Sequence, residues 1–561
     1  MYLKSLKIKN FRSIKNTTIN FNKGINILIG PNNSGKTTII DALYYCFNYK
    51  NYNSKHVCLN DFRINNDSNK KYNNIEFHLI FEIENDIEKA IFLDLYDPKK
   101  NNLNLYFKFY YNEKLERIQS DCFGGANKDN PIHYEIFDYI LNIYLSALRD
   151  AERYLTSGKP NIISKLLSKT ILNKDKKHLM NEINKEIKES KLSEVINDFN
   201  QKNIQNNLNN MIFKEDNINL FMSPIEQDFD KFTQYWNIKI ILSEINNNYL
   251  DLSQNGLGYN NLIYISVLLS YLNVLKNKNN EDSYISLSIE EPEAHLHPQL
   301  QTLFLLYLNK LNENNNIQIF ITSHSPTLTS KAKLNSLIPI QSNNNDIILS
   351  NLGEIFKNKE DITFLKKFLD VTKSQLLFSN KIIFVEGITE VILVPLFADI
   401  YEFNLDKNGV EIVNMNGIAF KHFLPLFDEE NDLNYKGAIL TDKDQKGNIN
   451  KKCSDNYNNL KKYENKNLKI KGSNKTFEYD LIISNNFDSR IWDVYREEHP
   501  KIFNIDKNEK ELFKLFDENH NINKSKCAIN LFNVLKNNNE NIIIPKYIED
   551  CFKFLKGEIN D

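Results

Sequence analysis

One eight-residue segment constrains the fold of this chain more than any other. Gly30–Thr37 reads G-P-N-N-S-G-K-T and fits the pattern G-x4-G-K-[ST]. It follows the apolar run Ile25–Ile29 and precedes a helical run, Thr38–Tyr45. A glycine-rich turn between a strand and a helix presents backbone N–H groups to a phosphate. The sequence therefore predicts a P-loop that binds ATP, with nucleotide contacts from Asn32, Asn33, Gly35, Lys36, Thr37 and Thr38, and with Thr37 also on Mg²⁺.

A P-loop needs a second strand that ends in carboxylates, and the run Tyr284–Ile289 supplies one. It leads into Glu290, which is expected beside Mg²⁺, and Glu291, which is expected to orient or deprotonate the attacking water. The next predicted strand, Ile317–Thr322, is followed by His324. Ligands of α/β sheets bind at the carboxyl ends of strands, so His324 is expected near the γ-phosphate.

Composition excludes a mainly disordered, collagen-like or disulfide-scaffold protein. A chain of 561 residues, with 41% hydrophobic and 25% charged residues, predicts a globular protein of several domains. We find no secretory signal or membrane span, and six scattered cysteines disfavour a zinc site or a disulfide framework. These features predict a cytoplasmic location. The net charge of -2 gives no global attraction for nucleic acid, although a local basic groove remains compatible with it.

The last third of the chain also places acids at the ends of predicted strands. A strand over Lys381–Val385 is followed by Glu386 and, after one helical turn, by Glu390. A strand over Gly437–Thr441 leads into Asp442 and Asp444, which the alternation of a strand would put on one face. Oxygen ligands of this kind suit Mg²⁺ or Mn²⁺, and two such ions suit phosphodiester cleavage. A second α/β domain with a metal site is the interpretation we draw.

The N-terminal motifs together resemble the ABC-type ATPase heads of the structural-maintenance, RecF and OLD families. Asn10–Ile14 is similar to their opening strand, and Glu290–Pro298 is similar to their Walker B and D-loop. Leu252–Tyr259 occupies the position of their signature loop in a diverged form. The resemblance implies that the loop residues Ser253, Gly256 and Gly258 act on the ATP of another protomer, and hence at least a dimer.

The stretch from about 155 to 240 has no heptad run long enough for a coiled-coil arm. Leu179, Ile183 and Ile187 fall four apart, and Ile196 and Phe199 are expected to continue the same apolar stripe. We interpret this stretch as a compact helical insertion that serves dimerisation.

The order of the C-terminal motifs resembles the Toprim fold of topoisomerases, primases and OLD nucleases. Lys475–Leu481 is similar to the T-[LF]-E-x-D-L element of OLD Toprim domains, which implies that Glu478 is a further metal-site acid. Lys524–Ala528 is similar to their K-G-x-x-A helix start, although Ser525 replaces the glycine. The resemblance implies that Lys524 acts near the scissile phosphate, with Lys526 as the alternative. Pro545–Ile548 is similar to the closing P-x-Y-I of the family.

These features predict an α/β chain with an ABC-type P-loop ATPase head, a helical insertion and a Toprim (Rossmann-like) domain. The expected boundaries are 1–154 and 246–350 for the ATPase, 155–245 for the insertion, 351–374 for a linker and 375–561 for Toprim.

The resemblance to OLD implies an ATP-regulated, metal-dependent DNA endonuclease of prokaryotic defence against phage, similar to Gabija-type and retron-associated nucleases. ATP and Mg²⁺ or Mn²⁺ are the expected cofactors. DNA, a second copy of the chain and a helicase or retron component encoded nearby are the expected partners. A repair ATPase similar to RecF, with a Toprim domain that does not cut, is the main alternative, and a topoisomerase or primase is another.

Overall fold

The computed structural model describes most of the chain in two compact units. The described residues are 1–50, 57–63, 73–126, 130–146, 155, 162–205, 208, 219–220, 222, 228–236, 238–243, 248–278, 283–294, 296–315, 317–343, 346–417, 419–431, 433–445, 453–518 and 522–558. The first unit comprises 1–144, 284–293 and 298–561, and the second comprises 145–283 and 294–297.

The first unit begins with an antiparallel sheet in the order β2-β1-β4-β6-β7-β8, with β5 beside β6. In β4 every second residue is buried, from Ile75 to Phe81, as the alternating sequence predicts. This buried face packs on α1 in one hydrophobic core. The elements are β1 (Tyr2–Phe11), β2 (Ile14–Asn20), β3 (Ile25–Ile29), α1 (Lys36–Phe47), β4 (Ile75–Glu82), α2 (Asp86–Ile91), β5 (Tyr96–Asp97), β6 (Asn102–Asn112), β7 (Arg117–Gly124), β8 (Asn130–Pro131) and β9 (Ile140–Leu145).

The second unit is mainly helical and has a small core around Leu155 and Leu252. The single apolar stripe expected from Leu179 to Phe199 is wrong, because the helix stops after Lys188. Ser190 caps a new helix there by accepting a hydrogen bond from the N–H of Ser193. The elements are α3 (Ile162–Thr170), α4 (Asn173–Lys188), α5 (Lys191–Phe199), α6 (Phe229–Thr233), β10 (Lys239–Ser243), β11 (Asn248–Asp251) and α7 (Leu257–Lys278).

A second sheet of the first unit has the order β15-β14-β3-β13-β12-β9, and β14, β3, β13 and β12 run parallel. Every residue of β3, β12 and β13 is buried, as expected for strands covered on both faces. Their carboxyl ends place the P-loop, Glu290 and Ser323 at one edge of the sheet. The elements are β12 (Tyr284–Glu290), α8 (Pro298–Asn315), β13 (Gln318–Ser323), α9 (Pro326–Lys331), β14 (Leu337–Asn343) and β15 (Asp346–Leu349).

The C-terminal sheet of the first unit has four parallel strands in the order β17-β16-β18-β19. The predicted strand over Lys381–Val385 is confirmed, and the segment 351–374 contains two helices, α10 and α11. The elements are α10 (Leu352–Ile355), α11 (Lys359–Phe368), β16 (Lys381–Val385), α12 (Ile388–Ile400), β17 (Val410–Asn414), β18 (Lys436–Asp442), α13 (Asp455–Lys461), β19 (Leu468–Ser473), α14 (Phe477–Ser484), α15 (Ser489–Glu498), α16 (Glu509–Asp517), α17 (Lys524–Asn537) and α18 (Lys546–Lys556).

Within the part of the chain that the structure describes, no helix has both the length and the apolar character needed to cross a membrane.

Candidate nucleotide and metal sites

The loop Gly30–Thr37 joins β3 to α1 in a conformation that its glycines permit. Gly35 has φ of +99°, and Gly30, at φ of +153°, packs so closely that a Cβ atom there would lie 2.4 Å from the carbonyl oxygen of Ile340. Lys36 is the first residue of α1, and Thr37 beside it is exposed. Asn32 and Asn33 are also exposed, whereas Thr38 is buried in the first turn of the helix. The loop thus has the form that phosphate binding requires.

The side chain of Lys36 folds back onto its own loop. Its Nζ donates to the carbonyl oxygens of Gly30, at 3.0 Å, and Pro31, at 2.8 Å. Burial lowers the pKa of Lys36 to about 8, although the charges of Glu291 and Glu293 oppose this change. The ammonium group is therefore poorly compensated until an anion arrives.

The predicted acids and the predicted histidine lie together at the ends of β12 and β13. Oε1 of Glu291 is 3.4 Å from Nε2 of His324, and the N–H of Glu291 donates to the Thr322 carbonyl at 3.0 Å. Glu290 ends β12 as a buried residue, and its Oε2 accepts a hydrogen bond from the Tyr144 hydroxyl at 3.0 Å. Burial and the charge of Lys36 lower the pKa of His324. The neutral imidazole suits a hydrogen-bond role toward phosphate.

Glu293 is a functional candidate that the sequence interpretation left without a role. Its Oε1 accepts hydrogen bonds from the His324 N–H, at 2.6 Å, and from the Ser323 hydroxyl, at 2.9 Å. Glu293 therefore fixes the backbone that carries His324. The motif E-E-P-E contained the signal, but only the folded chain shows which carboxylate makes this contact.

The predicted signature loop lies in the second unit. Ser253 belongs to a short 3-10 turn, Leu252–Gln254, and Gly256 immediately precedes α7. Both residues are exposed, and a Cβ atom on Gly256 would meet nothing within 4 Å. Asn260 supports the turn by donating to the Leu252 carbonyl at 2.7 Å. The loop is thus open to a ligand or partner.

The acids predicted in the C-terminal sheet converge at the carboxyl ends of β16 and β18. Oε1 of Glu386 accepts a hydrogen bond from the Thr441 hydroxyl and one from the Asp442 N–H at 3.0 Å. Oδ1 of Asp442 accepts from the Ser473 hydroxyl at 2.6 Å. Burial and the charge of Glu386 raise the pKa of Asp442 well above its usual range. The strand-end placement follows from the parallel pairing of β16 and β18.

Two further acids complete this cluster from neighbouring helices. Glu390 lies in the first turn of α12, where burial, with the charges of Glu478 and Glu386, raises its pKa to about 7. Glu478 lies in the first turn of α14 with only 1% of its surface exposed. Its Oε2 is 3.2 Å from Nζ of Lys524, whereas its buried Oε1 has no hydrogen-bond partner among the described residues.

The two lysines at the start of α17 have different partners. Lys524 reaches the cluster through Glu478, whereas Nζ of Lys526 lies 2.7 Å from Glu498. Burial disfavours the charge of Lys524, but Glu478 and Asp442 raise its net pKa above the usual value. Lys524 is thus the lysine that the fold places among the acids.

Asp444 does not share the strand geometry expected for it. The strand β18 ends at Asp442, and Asp444 lies two residues beyond it in a left-handed conformation, with φ of +47°. The expected placement of both acids on one face of a strand is therefore wrong, because the chain has already turned. Asp444 is exposed, but its charge still contributes to raising the pKa of Glu386, after burial as the main cause.

The acidic cluster fits a divalent metal by its chemistry. Glu386, Glu390, Asp442 and Glu478 offer hard oxygen donors, and Glu478 has a buried oxygen without a partner among the described residues. Burial, and after it the charges of neighbouring carboxylates, raise the pKa values of Glu386, Glu390 and Asp442. Over the described residues no three ligating side chains are yet close enough to hold an ion. We therefore expect a bound metal to weaken either the contact between Glu478 and Lys524 or the hydrogen bond between Glu386 and Thr441.

Comparisons with known proteins agree with this two-site architecture. Residues 1–144 and 112–329 match the family model described as "AAA ATPase domain", and residues 377–444 match "Overcoming lysogenization defect protein-like, TOPRIM domain". A P-loop ATPase joined to a Toprim domain is the class of protein that the fold and the two sites define. The chain belongs to the family described as "AAA ATPase domain", whose matches span more than half of it, and its C-terminal part is similar to the Toprim domain of overcoming lysogenization defect (OLD) proteins.

Two relatives align over most of the chain. "Endonuclease GajA" of Bacillus cereus (strain HuB5-5) is 26% identical, over 92% of each chain. "Endonuclease GajA" of Bacillus cereus (strain VD045) is 25% identical, over 81% of this chain and 76% of its own length. Among solved structures, the C-terminal region of the Burkholderia pseudomallei OLD protein is 21% identical, with a TM-score of 0.25, over 33% of this chain and all of its own.

Proposed function

We propose that this protein is a divalent-metal-dependent DNA endonuclease that ATP regulates and that acts in prokaryotic defence against phage. The observation that carries the proposal is the meeting of Glu386, Asp442 and Glu478 with Lys524 at the strand ends of a Toprim domain. The relatives named as GajA endonucleases, which align over both domains, support the same activity.

Each residue of the Toprim cluster has a role that follows from its contacts. Glu386, Glu390, Asp442 and Glu478 would hold Mg²⁺ or Mn²⁺, with Asp444 as an outer ligand from the loop. A metal bound there would polarise the scissile phosphodiester and increase the acidity of a water molecule. Lys524, whose pKa is raised, keeps its proton and would bind a phosphate oxygen of the cleaved strand. Ser473 and Thr441 orient the carboxylates of Asp442 and Glu386.

The ATPase site would control this chemistry. Lys36 would exchange the carbonyl oxygens of its own loop for phosphate oxygens, and Thr37 with Glu290 would hold Mg²⁺. Glu291 would activate the attacking water, and His324, whose Nε2 is 3.4 Å from Oε1 of Glu291, would contact the γ-phosphate. Ser253 and Gly256 would complete the site of a second copy of the chain.

The helical unit offers a surface for that second copy. Leu192, Val195 and Phe199 on α5 are each more than half exposed, a costly arrangement for large apolar side chains in water. We assign this face to homodimerisation. A helicase or retron component encoded nearby is compatible with the proposal as a further partner.

The alternative is a repair ATPase similar to RecF in which the Toprim acids bind without cutting. Matches to RecF proteins cover little of this chain. The RecF protein of Clostridium kluyveri, for example, is 35% identical over 19% of this chain. The presence of Lys524 beside the acidic cluster favours cleavage, because a site that only binds metal has no need of a cation there.

A crossed pair of variants tests the proposal. Asp442→Ala should abolish cleavage of supercoiled plasmid and leave ATP binding intact. Lys36→Ala should remove ATP binding and make any remaining cleavage insensitive to ATP. Cleavage by Asp442→Ala at the parent rate would contradict the assignment of the nuclease site, and an unchanged response to ATP in Lys36→Ala would contradict the control by ATP.

A further inference from the structure

A small cavity lies at the amino-terminal edge of the C-terminal sheet, the edge opposite the acidic cluster. Its volume is about 190 Å³, and the end of helix α18 closes one side. One wall of the cavity is polar and comes from β14, which belongs to the sheet that carries the P-loop (the ATPase sheet). The other wall comes from the starts of β16 and β18, which belong to the four-stranded C-terminal sheet (the Toprim sheet). The residues that matter for its chemistry are Gln341, Ser342, Asn380, Lys381, Asn434 and Lys436.

The described lining of this cavity carries positive charge and no carboxylate. Lys381 and Lys436 are paired directly across parallel strands, whose spacing is about 4.8 Å. No carboxylate of the described residues lies within ion-pair distance of either. Burial lowers the pKa of Lys381, and the charge of Lys436 lowers it further. The third lysine of the lining, Lys556, pairs with Glu558 at 2.7 Å.

A buried amide adds a second observation. Gln341 has 4% of its surface exposed, and its Oε1 accepts a hydrogen bond from the Asn434 N–H at 2.8 Å. Its buried Nε2 makes no hydrogen bond of normal geometry among the described residues, although the Tyr435 hydroxyl lies near it. The neighbouring Tyr435 hydroxyl donates to the Leu377 carbonyl at 3.1 Å. A buried donor without an acceptor is unfavourable, so the amide is suited to an incoming acceptor.

We propose that this cavity binds a phosphate group, held by Lys381, Lys436 and the amide of Gln341. The described lining offers lysines and an amide donor but no aromatic ring on which a nucleobase could stack, so the chemistry recognised is the phosphate itself. Because Gln341 belongs to the ATPase sheet and both lysines to the Toprim sheet, the phosphate bridges the two domains. It comes either from free inorganic phosphate or nucleotide, or from the backbone of DNA.

The test uses the full chain with Lys36→Ala, so that the P-loop does not contribute. Inorganic phosphate, added at constant ionic strength, should raise the melting temperature saturably, by about 2–5 °C. The same rise should be absent when K381Q and K436Q are added. It should persist with K366Q and K367Q, which remove two exposed lysines of α11. A rise of equal size with K381Q and K436Q would overturn the proposal.

Two further measurements keep the outcome interpretable. In chloride alone, K381Q with K436Q should melt at or above the parent temperature, because the substitutions remove repulsion between two half-buried cations. If the double variant does not fold, K436M alone is assessed in the same way.

Metal-free binding of a DNA duplex distinguishes the two sources of phosphate. Weaker DNA binding by K381Q with K436Q, with no effect of inorganic phosphate, assigns the cavity to the DNA backbone. A thermal shift by inorganic phosphate with unchanged DNA binding assigns it to free phosphate. An absence of both effects overturns the proposal.

Discussion

Nζ of Lys524 lies 3.2 Å from Oε2 of Glu478, although 46 residues separate them in the chain. Two helix starts, those of α14 and α17, bring the pair together beside Asp442. The carboxylates raise the pKa of Lys524, so the amine stays charged through the neutral range. A permanent cation among metal-site acids suits a contact with the negative charge that develops on a cleaved phosphate.

Lys524→Ala should therefore lower the rate of plasmid cleavage by about 100-fold or more, with metal binding retained. Lys526→Ala is the matched control, because Lys526 pairs with Glu498 instead. Single-turnover cleavage at saturating metal measures both. Equal losses in the two variants would show that the position of Lys524 has no special role.

The affinity for ATP should depend on pH through Lys36. Its pKa is lowered to about 8 in the nucleotide-free protein, so the amine is charged below that pH and neutral above it. Because ATP selects the charged form, affinity should be constant below pH 7 and fall by up to about tenfold per unit above pH 8. Calorimetry in buffers of different ionisation enthalpy should detect proton uptake near pH 8. Lys36→Arg should bind without that uptake, and uptake in the variant would contradict the assignment.

Tyr144→Phe should slow ATP hydrolysis and leave ATP binding nearly unchanged. The substitution removes the 3.0 Å hydrogen bond that holds Oε2 of Glu290, which costs about 1–2 kcal/mol of positioning, or roughly 5–30-fold in rate. Tyr139→Phe is the control, since the ring of Tyr139 packs against Phe92. A loss of ATP binding in Tyr144→Phe would indicate a structural role instead.

Lys475 should act as a positioning residue for the metal-site loop. Its buried Nζ donates to the Gln445 carbonyl at 2.9 Å and lies 2.6 Å from Asp517, which ties the loop after Asp444 to α16. Lys475→Met should lower the free energy of unfolding by about 1–3 kcal/mol. It should also raise the metal concentration needed for half-maximal cleavage, and excess metal should restore the rate.

The exposed Lys466, which pairs with Glu429, provides the control substitution for Lys475. Lys466→Met should change neither quantity. Cleavage that excess metal cannot restore in Lys475→Met would assign a different role to that lysine.

Local signals made much of the fold predictable. The strands Ile25–Ile29 and Lys381–Val385 are found with the predicted bounds, because each is an apolar run that ends where a glycine-containing turn begins. The P-loop and the strand-end acids follow from the same logic. Parallel strands place their carboxyl ends at one edge of a sheet. The order of the motifs was therefore enough to predict that Glu386 and Asp442 lie in one site.

The remaining features depend on contacts between distant residues or on one backbone angle. Tyr144 reaches Glu290 across 146 positions of sequence, and no local pattern marks a tyrosine for that role. Lys475 was part of a motif, yet its bond to Gln445 requires the folded loop. The predicted placement of Asp444 on a strand face is wrong because Asp444 itself has a left-handed backbone conformation, which turns the chain away from the strand direction. The break between α4 and α5 shows likewise that a capping serine can interrupt an apolar period.

The most direct test of the account is plasmid cleavage by the purified protein with Mg²⁺ or Mn²⁺, with and without ATP, beside Glu386→Ala. The account predicts nicked or linear DNA from the parent, a yield that changes with ATP, and no product from Glu386→Ala. Intact plasmid under every condition, with ATP hydrolysis preserved, would contradict the nuclease assignment and favour a repair ATPase with a Toprim domain that does not cut.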